Sequence, residues 1–370
     1  MRQNRKNWQK NWQQDYSEII ENYLIIFISR GGVNMAYSSE LKKYKEKDVI
    51  LLKAGKYTAT IAPFLGSNII SMMDVENDIS FFRKDESLSI EELKASAEVY
   101  GFPTLLYPNR LKDGILKTSD AEYTFPIVDI EGHNALHGFL HKREHSVVDM
   151  RVEGDVAIAR TEYVYDEKDP FFETFPVSFK AEFTFRLSDE GMHYEFTLTN
   201  TSAKQLPFGV CNHTTMNGPF TTNGDEMKTR LFVTIGDKWP LNQRNLPTCD
   251  FISLDNHDKQ YLTGSMIPVK HIINNDVYNC ETYEVDGLPF RGAVVTDLET
   301  GNEIRYEVDD NSKFWVIWND GGEKGYFCPE PSTWMIDAPN LPLPGEESGY
   351  EELLPGMSKT VRQHIYSKIK

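Results

Sequence analysis

Two histidines and a glutamate stand far apart in the chain, each in a local setting that could hold it for chemistry: Asn134-Ala-Leu-His137-Gly138, Asn212-His213-Thr-Thr-Met-Asn217-Gly218 and Cys328-Pro-Glu330-Pro331. An imidazole titrates near 6.5, and a glutamate rises from about 4.3 once partly desolvated, so both residue types carry a proton near neutrality. A weak acid and a weak base at one site suit proton transfer of the kind that opens a sugar ring.

The prolines on either side of Glu330 fix φ and lower the entropy lost in holding the side chain. Tyr326, Phe327 and Trp334 nearby would desolvate the carboxyl and offer a face to a pyranose. The plainer alternative is an exposed loop glutamate. His213 follows a strand pair ending at Asn200 and precedes turn residues, which places it at a strand end facing a cleft; alone, it also reads as a hydrogen-bonded structural histidine. Asn109-Arg110 lies between the apolar run Thr104-Leu-Leu and the Asp113-Gly114 turn, where a guanidinium could fork onto hydroxyls or pair with a carboxylate. His133, His137, His141 and His145 recur every fourth residue, the spacing of a metal-binding helix face. Gly132 and Gly138 argue against that helix and no His-Glu-x-x-His follows, so no metal is expected; His141 and His145 read as surface residues.

The elements that must position these side chains are strands. Apolar and polar residues alternate strictly in Ala181–Leu187 and Tyr194–Leu198, and similar runs cover 49–53, 57–61, 156–165, 291–298, 303–308, 313–318 and 359–365. Short turns such as 297–302 and 186–192 imply meandering antiparallel pairs. One helix is predicted over Ser89–Ala97, with Ser89 as cap and Glu92 completing a capping box, as a surface insertion. The fold class is all-β, a large antiparallel β-sandwich, and with no Gly, Ser or Pro-rich linker after residue 35 a single domain over 35–370 is expected.

The 39 basic and 56 acidic residues leave a formal net charge of −17, which opposes nucleic-acid and anionic-membrane partners and favours a small-molecule one. Four cysteines with no CxxC pair fit free thiols in a reducing cytoplasm. The apolar run Tyr23–Ile28 is far below the ~20 residues of a membrane span, and Glu18 and Glu21 make it a poor signal peptide. Residues 1–34 read as an extension outside the domain. Arg30-Gly-Gly-Val-Asn-Met35 has the look of a translated ribosome-binding site ahead of a start at Met35, the alternative being a genuine helical extension.

Taken in chain order, Asn109-Arg110-Leu111, Asn134-x-Leu136-His137-Gly138, Gly209-Val210-x-x-His213-Thr214 and Pro329-Glu330 resemble the aldose 1-epimerase (galactose mutarotase) family, across about residues 49 to 368. The resemblance implies a mutarotase-like supersandwich, monomeric or homodimeric, with a free aldohexose bound in an open cleft and its α and β anomers interconverted without cofactor or metal. It implies Glu330 as general base, His213 as general acid, and His137, Arg110 and Asn109 as groups that hold the sugar. Asp276, in Asn274-Asn-Asp-Val-Tyr278, is the candidate for the aspartate that binds sugar hydroxyls in that family. After His213-Thr214 the family commonly carries an aromatic residue and Asn-Leu, whereas this chain has Thr215-Met216-Asn217-Gly218, which leaves the sugar open. The alternatives are a phosphohexose 1-epimerase and a non-catalytic carbohydrate-binding or regulatory protein of the same fold.

Overall fold

Strict alternation turns one face of a strand to the core and the other outward, and that is how Phe179–Ser188 and Gly191–Asn200 sit, every second side chain buried. A computed structural model describes residues 37–370; the expectations for residues 1–34 fall outside them. The two strands lie at the centre of an eight-stranded antiparallel sheet. Its order is Ser146–Glu153, Val156–Tyr165, Phe179–Ser188, Gly191–Asn200, Ser358–Lys368, Glu303–Val308, Gly292–Asp297 and Thr229–Val233. The C-terminal strand thus enters the middle of the sheet, pairing Phe196 with Val361 and Tyr306 with Ile365.

Two smaller sheets cover this one. A five-stranded meander, Ser38–Tyr44 through Ile79–Ser80, lays Lys47–Ala54 and Tyr57–Ala62 on the first half of the large sheet. A seven-stranded sheet contains, in order, Ile235–Lys238, Asp276–Cys280, Phe314–Trp318, Tyr326–Ser332, Cys211–Asn212 and Thr104–Leu105, with Met216–Asn217 also beside Tyr326–Ser332. It packs on the middle and second half of the large sheet through edge-on rings, Tyr306 against Trp315 at 6.2 Å and Phe102 against Tyr194 at 5.2 Å. Buried polar groups cross the same layer, where Tyr194 OH meets Thr104 Oγ1 at 2.6 Å and Gln363 Nε2 donates to Asn212 Oδ1 at 2.8 Å. The architecture is the expected all-β antiparallel sandwich. Among the described residues no helix is long and apolar enough to cross a membrane.

The predicted helix forms at Ile90–Ala95 with both capping-box bonds in place, Glu92 N to Ser89 Oγ at 3.2 Å and Ser89 N to Glu92 Oε2 at 2.8 Å. It is less superficial than expected, because Ile90 and Leu93 bury against Phe64, Leu65 and Ile70. The turn after it carries Glu98 to within 3.7 Å of His141.

The expectation that His141 and His145 lie on the surface is overturned, since they are 1% and 4% exposed. Their charged neighbours Lys142, Arg143 and Glu144 suggested an exposed segment, but a short turn at Leu140–Lys142 directs the two imidazoles inward. His145 Nδ1 meets Ser67 Oγ at 2.8 Å, and Ser67 in turn meets Thr161 Oγ1 at 2.6 Å. Burial pushes the His145 imidazole down to about 3 and also lowers His141. His145 therefore stays neutral when folded and gains a proton on unfolding below about 6.5, and the shift of His141 acts in the same direction. Stability should therefore be full above about pH 6.5 and fall as the pH drops from there toward 3. Urea unfolding midpoints measured from pH 7 to 4 should decline, and His145→Asn, which keeps a polar partner for Ser67, should flatten that decline.

Candidate active site

Glu330 sits inside a strand, Tyr326–Ser332, although Pro329 and Pro331 cannot donate to a ladder. On one side the strand is continuously paired with Phe314–Trp318, Val316 opposite Glu330. On the other side pairing is interrupted between Cys211↔Ser332 and Met216↔Phe327, and the missing proline donors fall in that gap. The intervening segment turns away, with His213 N bonding to Pro103 O and Thr215 N to Gly101 O, both at 3.0 Å. His213 thereby leaves its strand end into the gap, and its Nε2 lies 3.2 Å from Glu330 Oε1. The two side chains are buried, at 5% and 2% exposure. The reading of Glu330 as an exposed loop residue is thus excluded.

His137 and Arg110 reach the same region from a second pair of strands, Arg110–Lys112 and Asn134–Leu136, where Leu136 lies opposite Arg110. Asn109 and His137 both take the left-handed conformation, with φ of +54° and +61°. Asparagine and histidine enter that region more readily than most residue types, and residues held there recur at functional sites. The next residue, Gly138, has φ of +60°, and a Cβ there would come within 2.1 Å of the Leu106 carbonyl oxygen. The His137 ring stands edge-on to His213 with centroids 5.4 Å apart, and Asn109 N donates to His137 Nδ1 at 3.3 Å. Arg110 is aimed by Asp129 Oδ2 at 3.0 Å and by Asn109 Oδ1 at 3.0 Å, while Asn134 Nδ2 holds the same Asp129 oxygen at 2.9 Å.

Burial opposes charge on both members of the central pair. It pushes the Glu330 carboxyl well above its usual range, with the Arg110 charge pulling weakly the other way, and lowers His213 to about 4, with Glu98 opposing. One proton shared by the pair is therefore the resting state, held on the carboxyl with the imidazole neutral. Moving it across the 3.2 Å contact produces carboxylate and imidazolium. His137 is also held neutral, by burial and then by the neighbouring His213.

The site thus brings together Glu330, His213, His137, Asn109 and Arg110. It does not bring in Asp276. That residue lies opposite Ile317, which lies opposite Pro329, so it projects from the face of the sheet opposite to Glu330. It is held there by His257 Nε2 at 2.8 Å and Tyr261 OH at 3.1 Å. Of the aromatic residues expected to desolvate Glu330, Tyr326 shares its face, Phe327 turns to the core, and Trp334 packs on Tyr107 and beneath Gly209. The ring beside His213 is instead Trp318, at 5.9 Å, which pairs with Cys328 across the ladder. Asp129, Glu98 and Trp318 went unnoticed in the sequence. Asp129 lies five residues before Asn134 in a stretch rich in turn residues, which was its only local signal.

The sequence matches the aldose 1-epimerase family over residues 48–366. The structure is similar to that of a galactose mutarotase-like protein from Clostridium acetobutylicum, with a TM-score of 0.89 and 29% identity over 91% of this chain and 100% of that one. A putative aldose 1-epimerase from Escherichia coli K12 (TM-score 0.67, 17% identity, 87% of this chain and 99% of that one) shares the fold. So does galactose 1-epimerase from Lactobacillus acidophilus NCFM (TM-score 0.66, 14% identity, 90% and 99%). That family match, across most of its length, makes this chain a member of the aldose 1-epimerase family.

Proposed function

We propose that the protein interconverts the α and β anomers of a free aldohexose, with Glu330 and His213 as the acid–base pair. The observation that supports this most directly is their buried contact at 3.2 Å, which holds one proton between an oxygen and a nitrogen of displaced acidity. In the productive tautomer the Glu330 carboxylate takes the proton of the C1 hydroxyl while the His213 imidazolium gives one to the ring oxygen. The bond between C1 and the ring oxygen breaks, leaving an open-chain aldehyde. Rotation about C1–C2 presents the other carbonyl face, and the same two groups, now carboxylic acid and neutral imidazole, return their protons as the ring closes. His137, with Nδ1 accepting from Asn109, carries its hydrogen on Nε2 and serves as a donor to a sugar oxygen. Arg110, oriented by Asp129, binds a neighbouring hydroxyl.

A phosphorylated hexose is less well matched, because Arg110 is already committed to Asp129 and Asn109. A protein that binds sugar without turning it over remains the third reading, and titration with galactose or glucose alongside the assay distinguishes it.

Polarimetry of freshly dissolved α-D-galactose and α-D-glucose should show accelerated mutarotation with this protein. Glu330→Gln should remove most of that acceleration, about 10² to 10⁴ for a positioned proton transfer, and leave sugar affinity within several-fold. A variant near wild-type rate would exclude Glu330 as the base. Asp129→Asn should act differently, raising KM by roughly tenfold through the loss of a charged hydrogen bond to Arg110, with a smaller change in kcat.

The pH profile of kcat/KM follows from the directions of the two shifts. The pair gains a second proton near about 4, the His213 value, and loses its only proton at the raised Glu330 value. Activity should therefore persist well below pH 6 and fall on the alkaline side. An acid limb centred on the ordinary imidazole value of about 6.5 would contradict this assignment.

A further inference from the structure

One reactive group at the site has no part in that scheme, the thiol of Cys328. Cys328 and Glu330 are two residues apart on one strand, so their side chains leave the same face of the sheet, and His213 meets them from the gap in the neighbouring strand. A ring nitrogen of His213, the sulfur of Cys328 and a carboxylate oxygen of Glu330 all lie within 4.8 Å of one another, and all three residues are buried. The sulfur is only loosely engaged, donating to Thr215 Oγ1 at 3.5 Å.

Imidazole, thiolate and carboxylate converging on one point form a donor set for a tetrahedral, thiophilic dication. Bonds of about 2.0 to 2.3 Å to Zn²⁺ place neighbouring ligand atoms roughly 3.3 to 3.7 Å apart. The histidine–glutamate pair, at 3.2 Å, is already close to that spacing, and the thiol needs no more than a small side-chain adjustment to join it. Two anionic ligands around a dication leave the buried site electrically neutral, which removes the desolvation cost of an isolated charge. The protons displaced from the ligands pass to solvent. Magnesium and calcium do not suit the set, because they demand six or more oxygen ligands.

We propose that His213, Cys328 and Glu330 form a Zn²⁺-binding site whose occupation inhibits the protein by tying up the acid–base pair, with the fourth coordination position left to water. Binding itself stands on the donor geometry; only the inhibitory consequence rests on the proposed function, so the two are tested by separate readouts.

For binding, the purified metal-free protein is titrated with Co²⁺ as a spectroscopic stand-in for Zn²⁺. The expected result is tetrahedral ligand-field absorption together with a thiolate-to-cobalt charge-transfer band, both abolished by added Zn²⁺. The band should disappear in Cys328→Ser and Cys328→Ala and persist in Cys249→Ser. No band in the wild type, a band retained without Cys328, or one lost with Cys249 would each overturn the site, and the wild-type and Cys249 arms hold even if the Cys328 variants fold poorly. For inhibition, Zn²⁺ should suppress mutarotation competitively with sugar and reversibly with EDTA, while Mg²⁺ at equal concentration has no effect. Cys328→Ser should retain metal-free turnover within about twofold and require at least ~10-fold more Zn²⁺ for the same inhibition, the scale on which metal sites respond to lost partners. Equal sensitivity of wild type and variant overturns inhibition through this site. If the protein turns over neither sugar, the cobalt spectrum still decides the binding.

Discussion

A strand that carries two prolines cannot be paired on both sides, and the candidate active site depends on that constraint. Tyr326–Ser332 is a central strand with a full ladder to Phe314–Trp318 along one edge. On the other edge the chain must depart where Pro329 and Pro331 offer no N–H, and it does so between Asn212 and Met216. The resulting gap lets His213 approach Glu330 inside the sheet rather than over a surface loop. The position is rigid because the ladder on the far edge and the proline φ restriction act on the same residues.

Burial then does the electrostatic work. Neither carboxylate nor imidazolium is well solvated at this depth, so burial favours the neutral form of each, carboxylic acid and imidazole. The same burial keeps His137 neutral. Around this centre the supporting interactions are short and specific: Asp129 aims Arg110, Asn134 holds Asp129, and the Asn109 amide sets the hydrogen on His137. Gly138 permits the left-handed turn that follows His137, because a Cβ there would collide with the Leu106 carbonyl.

The same crowding brings Cys328 into reach of the pair. That a thiol two residues before the Glu330 carboxyl shares its strand face follows from the pleat alone. That it meets an imidazole as well follows from the gap opened by the prolines.

Much of this was legible in the sequence, and the boundary is physical. Period-two alternation marked the long strands, because a half-buried strand must alternate, and Ser89 with Glu92 marked the helix start, because free amides need a cap. Local motifs singled out Glu330, His213, His137, Asn109 and Arg110, all of which the fold brings together. Short-range patterns carry no information about which side of a ladder a residue faces once strands are paired across the chain. For that reason Asp276, a plausible aspartate by context, turned out to face away, and Trp318 rather than Trp334 stands beside His213. The inward turn of His141 and His145 against Glu98 and Ser67 was equally hidden by their charged neighbours. By itself the sequence determined the strand content, the capped helix and the residues able to carry protons. Only the tertiary structure decided their contacts, their depth and their partners, because these depend on register between segments distant in the chain.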